Sequence, residues 1–303
     1  MIKVSVLTTV YNETWMQVLR AINSVEKQVT EELSIEHIIV VDNPTYQYRD
    51  NLYSLRDQVA SHNFKIMIIE NSTNRGLATS LNIAIDASTS DILARLDADD
   101  WMNDNRLNQQ LTVLQLKHAD IVYTDTLLFT QGIKQPKYIP SSDSGLIKKA
   151  LPISNFISHS SVMFWKPAIT EVGMYRHVEP AEDYDLWLRL RNKNKIFAYI
   201  DKPLTSREVR NDSISNSNLY YQIMMARFVR RINRTRQISQ TGISDVPKNL
   251  STEKLHKINR KIKNFRSAKG IKKVLLGILS GFILRTSLND VYFRIVVFLY
   301  KVK

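Results

Sequence analysis

The 303-residue chain contains no cysteine, which excludes disulfides, thiolate metal sites and cysteine nucleophiles. That absence fits a reducing, cytoplasmic setting. Long apolar stretches are missing too. The two most apolar segments, Val274–Leu284 and Val291–Tyr300, run about ten residues each, well short of the roughly 20 that a helix needs to cross a bilayer. Arg285 and Arg294 interrupt any attempt to join them. The N-terminus, Met1-Ile2-Lys3-Val4-Ser5-Val6-Leu7, starts directly as a strand and lacks the charged-then-apolar layout of a secretory signal. No internal repeat or low-complexity tract is visible.

Hydrophobic residues make up 44 % of the sequence, ample for one full core and a small second unit. Charge is unevenly spread. Residues 1–206 carry 21 Lys and Arg against 24 Asp and Glu, whereas residues 207–303 carry 21 against 5, so the net +13 belongs to the C-terminal third. That separation argues for two jobs in one chain.

Up to about residue 205, short apolar runs alternate with amphipathic segments, the pattern of an α/β sheet. Strands are expected at Val4–Val10, Ile35–Val41, Lys65–Glu70, Asp91–Leu96, Asp120–Thr126, Ser160–Trp165 and Ile196–Ile200. Helices are expected at Thr14–Gln28, Leu52–Val59, Gly76–Ala87, Leu107–Leu116 and Tyr184–Asn192. Beyond Asn211 the character changes: Leu219–Ile232 is helical with arginines on its polar side, and residues 248–273 are dominated by Lys and Arg.

The most informative stretch is Ile92-Leu93-Ala94-Arg95-Leu96-Asp97-Ala98-Asp99-Asp100. A buried-strand pattern ends in three carboxylates spaced D-x-D-D, at the edge where α/β sheets bind ligands. Oxygen ligands of this kind suit Mg²⁺ or Mn²⁺, ions that usually share their coordination with phosphate. The pattern therefore points to metal-assisted chemistry on a nucleotide diphosphate. The plainer alternative is a solvated acidic loop capping a helix that starts near Asp104.

Three further segments fall where the same sheet edge would gather them: Thr9-Val10-Tyr11-Asn12-Glu13, Asp42, and Asn74-Arg75-Gly76. With them come His159-Ser160-Ser161-Val162-Met163-Phe164 and Glu182-Asp183-Tyr184-Asp185-Leu186-Trp187-Leu188-Arg189. As a set, over residues 1–215, these motifs resemble the inverting family 2 glycosyltransferases with the GT-A fold, in particular bacterial enzymes of O-antigen, capsule or exopolysaccharide synthesis. The fold class expected is α/β: a Rossmann-like, mostly parallel central sheet flanked by helices, followed by a small, basic, mainly helical region at 216–303.

The resemblance implies a role for each matching position. Thr9, Tyr11 and Glu13 would line the nucleotide pocket. Asp42 would accept a hydrogen bond from uracil or ribose, unless it is only a helix cap. Arg75 would lie over the nucleotide or diphosphate, with Gly76 allowing close backbone approach. Asp97 would bind ribose and Asp99 the metal, with Asp100 behind them; the extra carboxylate leaves open which of the three touches the ion. Asp183 would be the general base, with Glu182 orienting the acceptor. An acidic pair favoured by a helix N-terminus is the plainer reading of those two. His159 would lie near acceptor and diphosphate, or else be a satisfied core histidine. Arg207 and Arg210 could stabilise the departing diphosphate from a mobile loop, although Ser206-Arg207-Glu208-Val209-Arg210 departs from the Tyr-Arg-x-His-like segment expected there.

The expected reaction moves a sugar from a UDP-sugar to a hydroxyl of a polyprenyl-diphosphate-linked glycan, with Mn²⁺ or Mg²⁺ as cofactor. Basic residues flanking short apolar segments suit a helix lying on an anionic membrane, which would seat the protein peripherally on the inner face of the cell membrane. A core helix pair or a dimer interface competes with that reading of the C-terminal region. Nucleic acid is not an expected partner, because no exposed aromatics interleave the basic run. Two rival functions have their own signatures. A sugar-1-phosphate nucleotidyltransferase would cradle its triphosphate in a Gly-rich loop, yet Thr8-Thr9-Val10-Tyr11-Asn12 has no glycine. A non-catalytic sugar-nucleotide-binding scaffold would lose the metal or base positions, yet Asp97, Asp99 and Asp183 are all present.

Overall fold

The structure is a computed structural model that describes residues 1–130, 133–137, 144–208 and 219–235. Its first half is a run of parallel strands with helical crossovers: β1 (Ile2–Val10), α1 (Trp15–Glu26), β2 (Leu33–Val41), α2 (Arg49–Val59), β3 (Phe64–Glu70), α3 (Leu77–Ala87) and β4 (Ile92–Arg95). The central strands β1, β2 and β4 were legible as apolar runs because both faces are covered, whereas the edge strand β3 alternates buried and exposed positions at its start. In β2, for example, Ile35 and Ile38 through Val41 are all buried. At the start of α1 the Thr14 N–H donates to Gln17 Oε1 at 2.8 Å, one half of a capping box. Val18, Ala21, Ile22 and Val25 then turn one helix face into the core.

The second half adds β5 (Asp100–Met102), α4 (Arg106–Leu116), β6 (Ile121–Thr130), β7 (Ile133–Lys137), α5 (Ser144–Ala150), β8 (Met163–Trp165), α6 (Lys166–Glu171), α7 (Glu182–Asn192), β9 (Phe197–Glu208) and α8 (Leu219–Thr235). The sheet order is β3-β2-β1-β4-β8-β6-β9-β5, with β7 paired to β6. Only β8, β5 and β7 run antiparallel to their neighbours, so the sheet is mostly parallel, as expected. Two cores cover its faces. One holds Leu7, Leu81, Phe164 and Trp187 and receives Met225, Phe228 and Val229 from α8; the other holds Val6, Ile22, Ile39 and Leu111.

A buried polar relay fixes the central strands. The Thr8 hydroxyl donates to the Leu96 carbonyl at 3.0 Å, and His37 Nε2 lies 3.0 Å from the same hydroxyl. Burial pushes the His37 pKa down to about 3, so the imidazole is neutral and Nε2–H donates to Thr8.

Several elements differ from the sequence-based expectations. The strand expected at Ile196–Ile200 starts at Phe197 and is the first part of a twelve-residue β9, which continues past a register shift at Thr124–Thr126. His159–Ser161 forms a 3₁₀ turn, and only Met163–Trp165 pairs as a strand. The acidic stretch is not a solvated loop, since Asp100 begins β5. Arg207, expected on a mobile loop, sits inside β9 opposite Asp100. Arg210, the basic run 248–273 and the apolar runs Val274–Leu284 and Val291–Tyr300 lie outside the described residues. Among the described residues no helix is long and apolar enough to cross a membrane.

Candidate active site

Asp97, Asp99 and Asp100 each offer an oxygen within 4.8 Å of the others. Three like charges this close repel, so the backbone beneath them must be held. The Asp97 N–H donates to Ser160 Oγ at 2.8 Å, and the Asp100 N–H to the Asp97 carbonyl at 3.1 Å. Arg20 Nη2 donates to the Asp99 carbonyl at 3.0 Å. Asp100 is fully buried, and neither of its carboxylate oxygens has a well-oriented hydrogen-bond partner. Burial, with repulsion from Asp97 added, raises its pKa well above the usual range. A fully buried carboxylate grouped with two others is a donor set that suits a hard divalent cation.

Arginines supply the opposing charge. Arg95, only 1 % exposed, donates from Nη1 to the Leu7 carbonyl at 3.0 Å and from Nη2 to Asp97 Oδ1 at 2.5 Å; Thr9 Oγ1 lies 3.4 Å from that same Nη2. Burial opposes ionisation of Asp97, but the charges of Arg95 and Arg207 outweigh it and hold the pKa below the usual range. Arg207 places its Nε 3.9 Å from Asp100 Oδ1. Burial works against its charge, yet Asp100, Asp97, Asp99 and Asp183 overcome that and raise its pKa. One guanidinium thus feels carboxylates from the β4 edge and from α7 together. Glu13, whose Oε2 accepts the Tyr11 N–H at 2.7 Å, belongs to the same field: burial, with Asp99 and Asp97 adding to it, raises its pKa. The Tyr11 ring is 44 % exposed beside it.

Asp42 ends β2 and organises the loop into α3. Its Oδ1 accepts from Asn71 Nδ2 at 2.7 Å and from the Arg75 N–H at 2.8 Å, and its Oδ2 accepts from the Gly76 N–H at 2.9 Å. An ionised carboxylate has about four acceptor positions, so roughly one is left for a ligand. The capping reading and the ligand reading of Asp42 are therefore compatible. Gly76 adopts φ +81°, and a Cβ there would lie 3.0 Å from Glu179 Oε1, two reasons for glycine. The Arg75 side chain is exposed at the rim.

Across the site, Glu182 and Asp183 open α7. Asp183 Oδ1 accepts the Tyr184 N–H at 2.6 Å, and its Oδ2 accepts from Asn155 Nδ2 at 2.9 Å. Glu182 is 8 % exposed with no partner for Oε2. Burial, then repulsion from Asp183, pushes its pKa up to about 8. Glu179, whose Oε1 accepts the Ala78 N–H of α3 at 3.3 Å, adds to that repulsion and links the donor-side loop to α7. His159 Nε2 lies 2.8 Å from the Tyr175 hydroxyl, with its ring 6.2 Å from Trp187. Burial pushes its pKa down to about 3, so it is a satisfied, neutral histidine that also faces Asp97.

Sequence reasoning missed Arg95, Ser160, Asn155 and Tyr175. Arg95 carried a signal, a lone charge inside an apolar strand run, and Ser160 lay in the His159–Phe164 motif without a role of its own. Below Asp183 on α7, the fully buried Asp185 binds Arg176 at 2.6 and 2.8 Å, Arg189 at 2.8 Å and Asn233 at 2.9 Å, which locks the helix to its surroundings.

Glu182 gives a pH test. Between about 4.5 and about 8 the folded chain keeps a proton on this carboxyl that the unfolded chain has lost. The stability it contributes is complete below the lower value and disappears as pH rises through the upper one. Glu182→Gln is therefore expected to melt at a higher temperature than the parent at about pH 9 and at a similar temperature at about pH 5, as read by thermal melts without added metal. Equal melting temperatures at both pH values would contradict the assignment.

A family model described as glycosyl transferase family 2 matches residues 5–170, more than half of the chain. The chain belongs to that family. Among individual members, EpsE of Bacillus subtilis (strain 168), named as a glycosyltransferase, is 31 % identical over 195 residues, covering 62 % of this chain and 66 % of EpsE. The amylovoran biosynthesis glycosyltransferase AmsE of Erwinia amylovora is 26 % identical over 190 residues, covering 61 % and 68 %. The chain thus spans about two thirds of the length of these relatives. The crystal structure of S. aureus TarS 1-349 in complex with UDP-GlcNAc is similar in fold, with a TM-score of 0.59 at 14 % identity over 98 % of this chain and 90 % of that one. The family's GT-A fold is the one described above.

Proposed function

We propose that the protein is an inverting glycosyltransferase that moves a sugar from a UDP-sugar to a hydroxyl of a polyprenyl-diphosphate-linked glycan in bacterial surface polysaccharide synthesis. The observation that carries this reading is the placement of Arg207, whose Nε lies 3.9 Å from Asp100 and whose charge is favoured by Asp97, Asp99 and Asp100 at the β4 edge and by Asp183 on α7 together. Names of relatives support the pathway class: AmsE is an amylovoran enzyme, and a 30 % identical Escherichia coli relative is a UDP-Gal:alpha-D-GlcNAc-diphosphoundecaprenol beta-1,3-galactosyltransferase. TarS, solved with UDP-GlcNAc and with UDP, supports a UDP-linked donor.

In this mechanism Asp42 receives the uracil or ribose, while Thr9, Tyr11, Glu13 and Arg75 line the nucleotide's path. Asp99 and Asp97, backed by Asp100, would hold Mn²⁺ or Mg²⁺, which when bound neutralises charge on the leaving diphosphate. Asp183 takes the proton of the acceptor hydroxyl as its oxygen bonds to the anomeric carbon. The bond from that carbon to the phosphate oxygen breaks on the opposite face, and UDP departs with the electron pair. Arg207 lies where it can stabilise that departing charge. Glu182 and His159 shape the acceptor side. Residues 1–215 would form the catalytic unit, with α8 packed against α7. Within the basic region 216–303, α8 gives Met225, Phe228 and Val229 to the catalytic core, and the remainder would seat the enzyme on the inner face of the cell membrane, beside its lipid-linked acceptor.

The test is a panel of UDP-sugars with Mn²⁺ and a lipid-diphosphate glycan, read by UDP release and by the anomeric configuration of the product in NMR. The expected result is acceptor-dependent UDP release and a β-glycoside from an α-linked donor. A product of retained configuration would contradict the mechanism.

A further inference from the structure

We propose that Arg20, on α1, is a positioning residue that fixes the geometry of the acidic turn for cation and diphosphate; this rests on the reading that Asp97 and Asp99 hold a divalent ion. Three contacts meet in this one side chain. Its Nη2 donates to the Asp99 carbonyl at 3.0 Å. Its guanidinium lies 4.0 Å from the centroid of the Trp101 ring. Its Nη1 and Nη2 approach Glu208 Oε2 at 3.5 and 3.4 Å.

Those partners flank the acidic turn on both sides. Trp101 follows Asp100 in β5 and stands opposite Ser206 in β9, while Glu208 follows Arg207, the partner of Asp100. Trp101 is held from beneath by Phe129 of β6, with ring centroids 5.0 Å apart. One guanidinium thus braces the backbone between Asp99 and Trp101 against the end of β9. The need is electrostatic: three carboxylates within 4.8 Å push one another apart. Ser160 secures the Asp97 end of the turn, and Arg20 secures the Asp99 end. The Glu208 pairing and the contact with the Trp101 ring hold the Arg20 guanidinium beside the turn. Binding its carbonyl to Arg20 constrains where the Asp99 side chain can point.

Groups that orient metal ligands typically change metal affinity about 10- to 100-fold when removed. The experiment is calorimetric titration of Mn²⁺ into the full chain with UDP present, for the parent, Arg20→Ala and Arg20→Lys, alongside steady-state KM values. Arg20→Ala is expected to weaken Mn²⁺ binding about 10-fold or more and to leave the acceptor KM unchanged, while Arg20→Lys, which keeps a donor and the charge, recovers most of the loss. If the alanine variant does not fold, Arg20→Met keeps an apolar stem over Trp101, lacks every donor and carries the same comparison. A parent that binds Mn²⁺ and a donor-less variant that binds it equally, whatever its melting temperature, would overturn the inference alone. A parent that binds no Mn²⁺ in the presence of UDP would overturn the cation reading and this inference with it.

Discussion

Asp183→Asn is expected to slow sugar transfer by about 10²- to 10⁴-fold, the usual contribution of a general base, with UDP and Mn²⁺ affinities changed less than about twofold. The amide is nearly isosteric with the carboxylate but cannot take a proton at neutral pH. Its oxygen still accepts the Tyr184 N–H, and Asn155 can turn its own amide to face the new NH₂ group. The helix start therefore survives while the proton acceptor is lost. Steady-state kinetics should show the effect in kcat with the donor KM unchanged, because the interaction is made only as the acceptor attacks. Unchanged turnover would rule out Asp183 as the base.

Asp99→Ala is expected to produce a loss of a different kind. A cation on a leaving diphosphate is worth several kcal/mol, so kcat/KM should fall on the order of 10²- to 10³-fold. Mn²⁺-dependent UDP binding should fall with it, and raising the Mn²⁺ concentration should restore part of the activity. No amount of Mn²⁺ should restore Asp183→Asn. Asp97 and Asp100 remain in the variant and can still hold an ion weakly, which is why the rescue is partial. Asp99→Ala with undiminished Mn²⁺ affinity would place the ion elsewhere.

The parallel half of the fold was legible because its central strands β1, β2 and β4 are covered on both faces. Ile35–Val41 and Ile92–Leu96 can be read as buried runs without knowing their neighbours. The C-terminal part of β9 was not, because Asp201-Lys202-Pro203 breaks the apolar run and pairing resumes only after a register shift against β6. The three-residue β5 is too short to show periodicity, and its first residue is a fully buried aspartate. Asp42 and Asp97 follow strands and Glu182 and Asp183 open α7, as the sequence pattern suggested, whereas Arg207 lies within β9 and not on a loop. Their supports were invisible, since Arg20, Ser160 and Asn155 meet the acids only through tertiary folding. Arg95 and Arg106 show the same limit. Both are buried and hydrogen-bonded to main-chain carbonyls of the strands around the site, although arginine ordinarily reads as surface.

The most direct test of this account is a crystal structure of the protein grown with UDP and Mn²⁺, with the ion located by its anomalous scattering. The account predicts one strong peak beside Asp99 and Asp97, a uracil within hydrogen-bonding distance of Asp42, and the Asp183 carboxylate facing the open side of the diphosphate. A nucleotide bound away from these three segments, or an ion remote from the acidic turn, would contradict it.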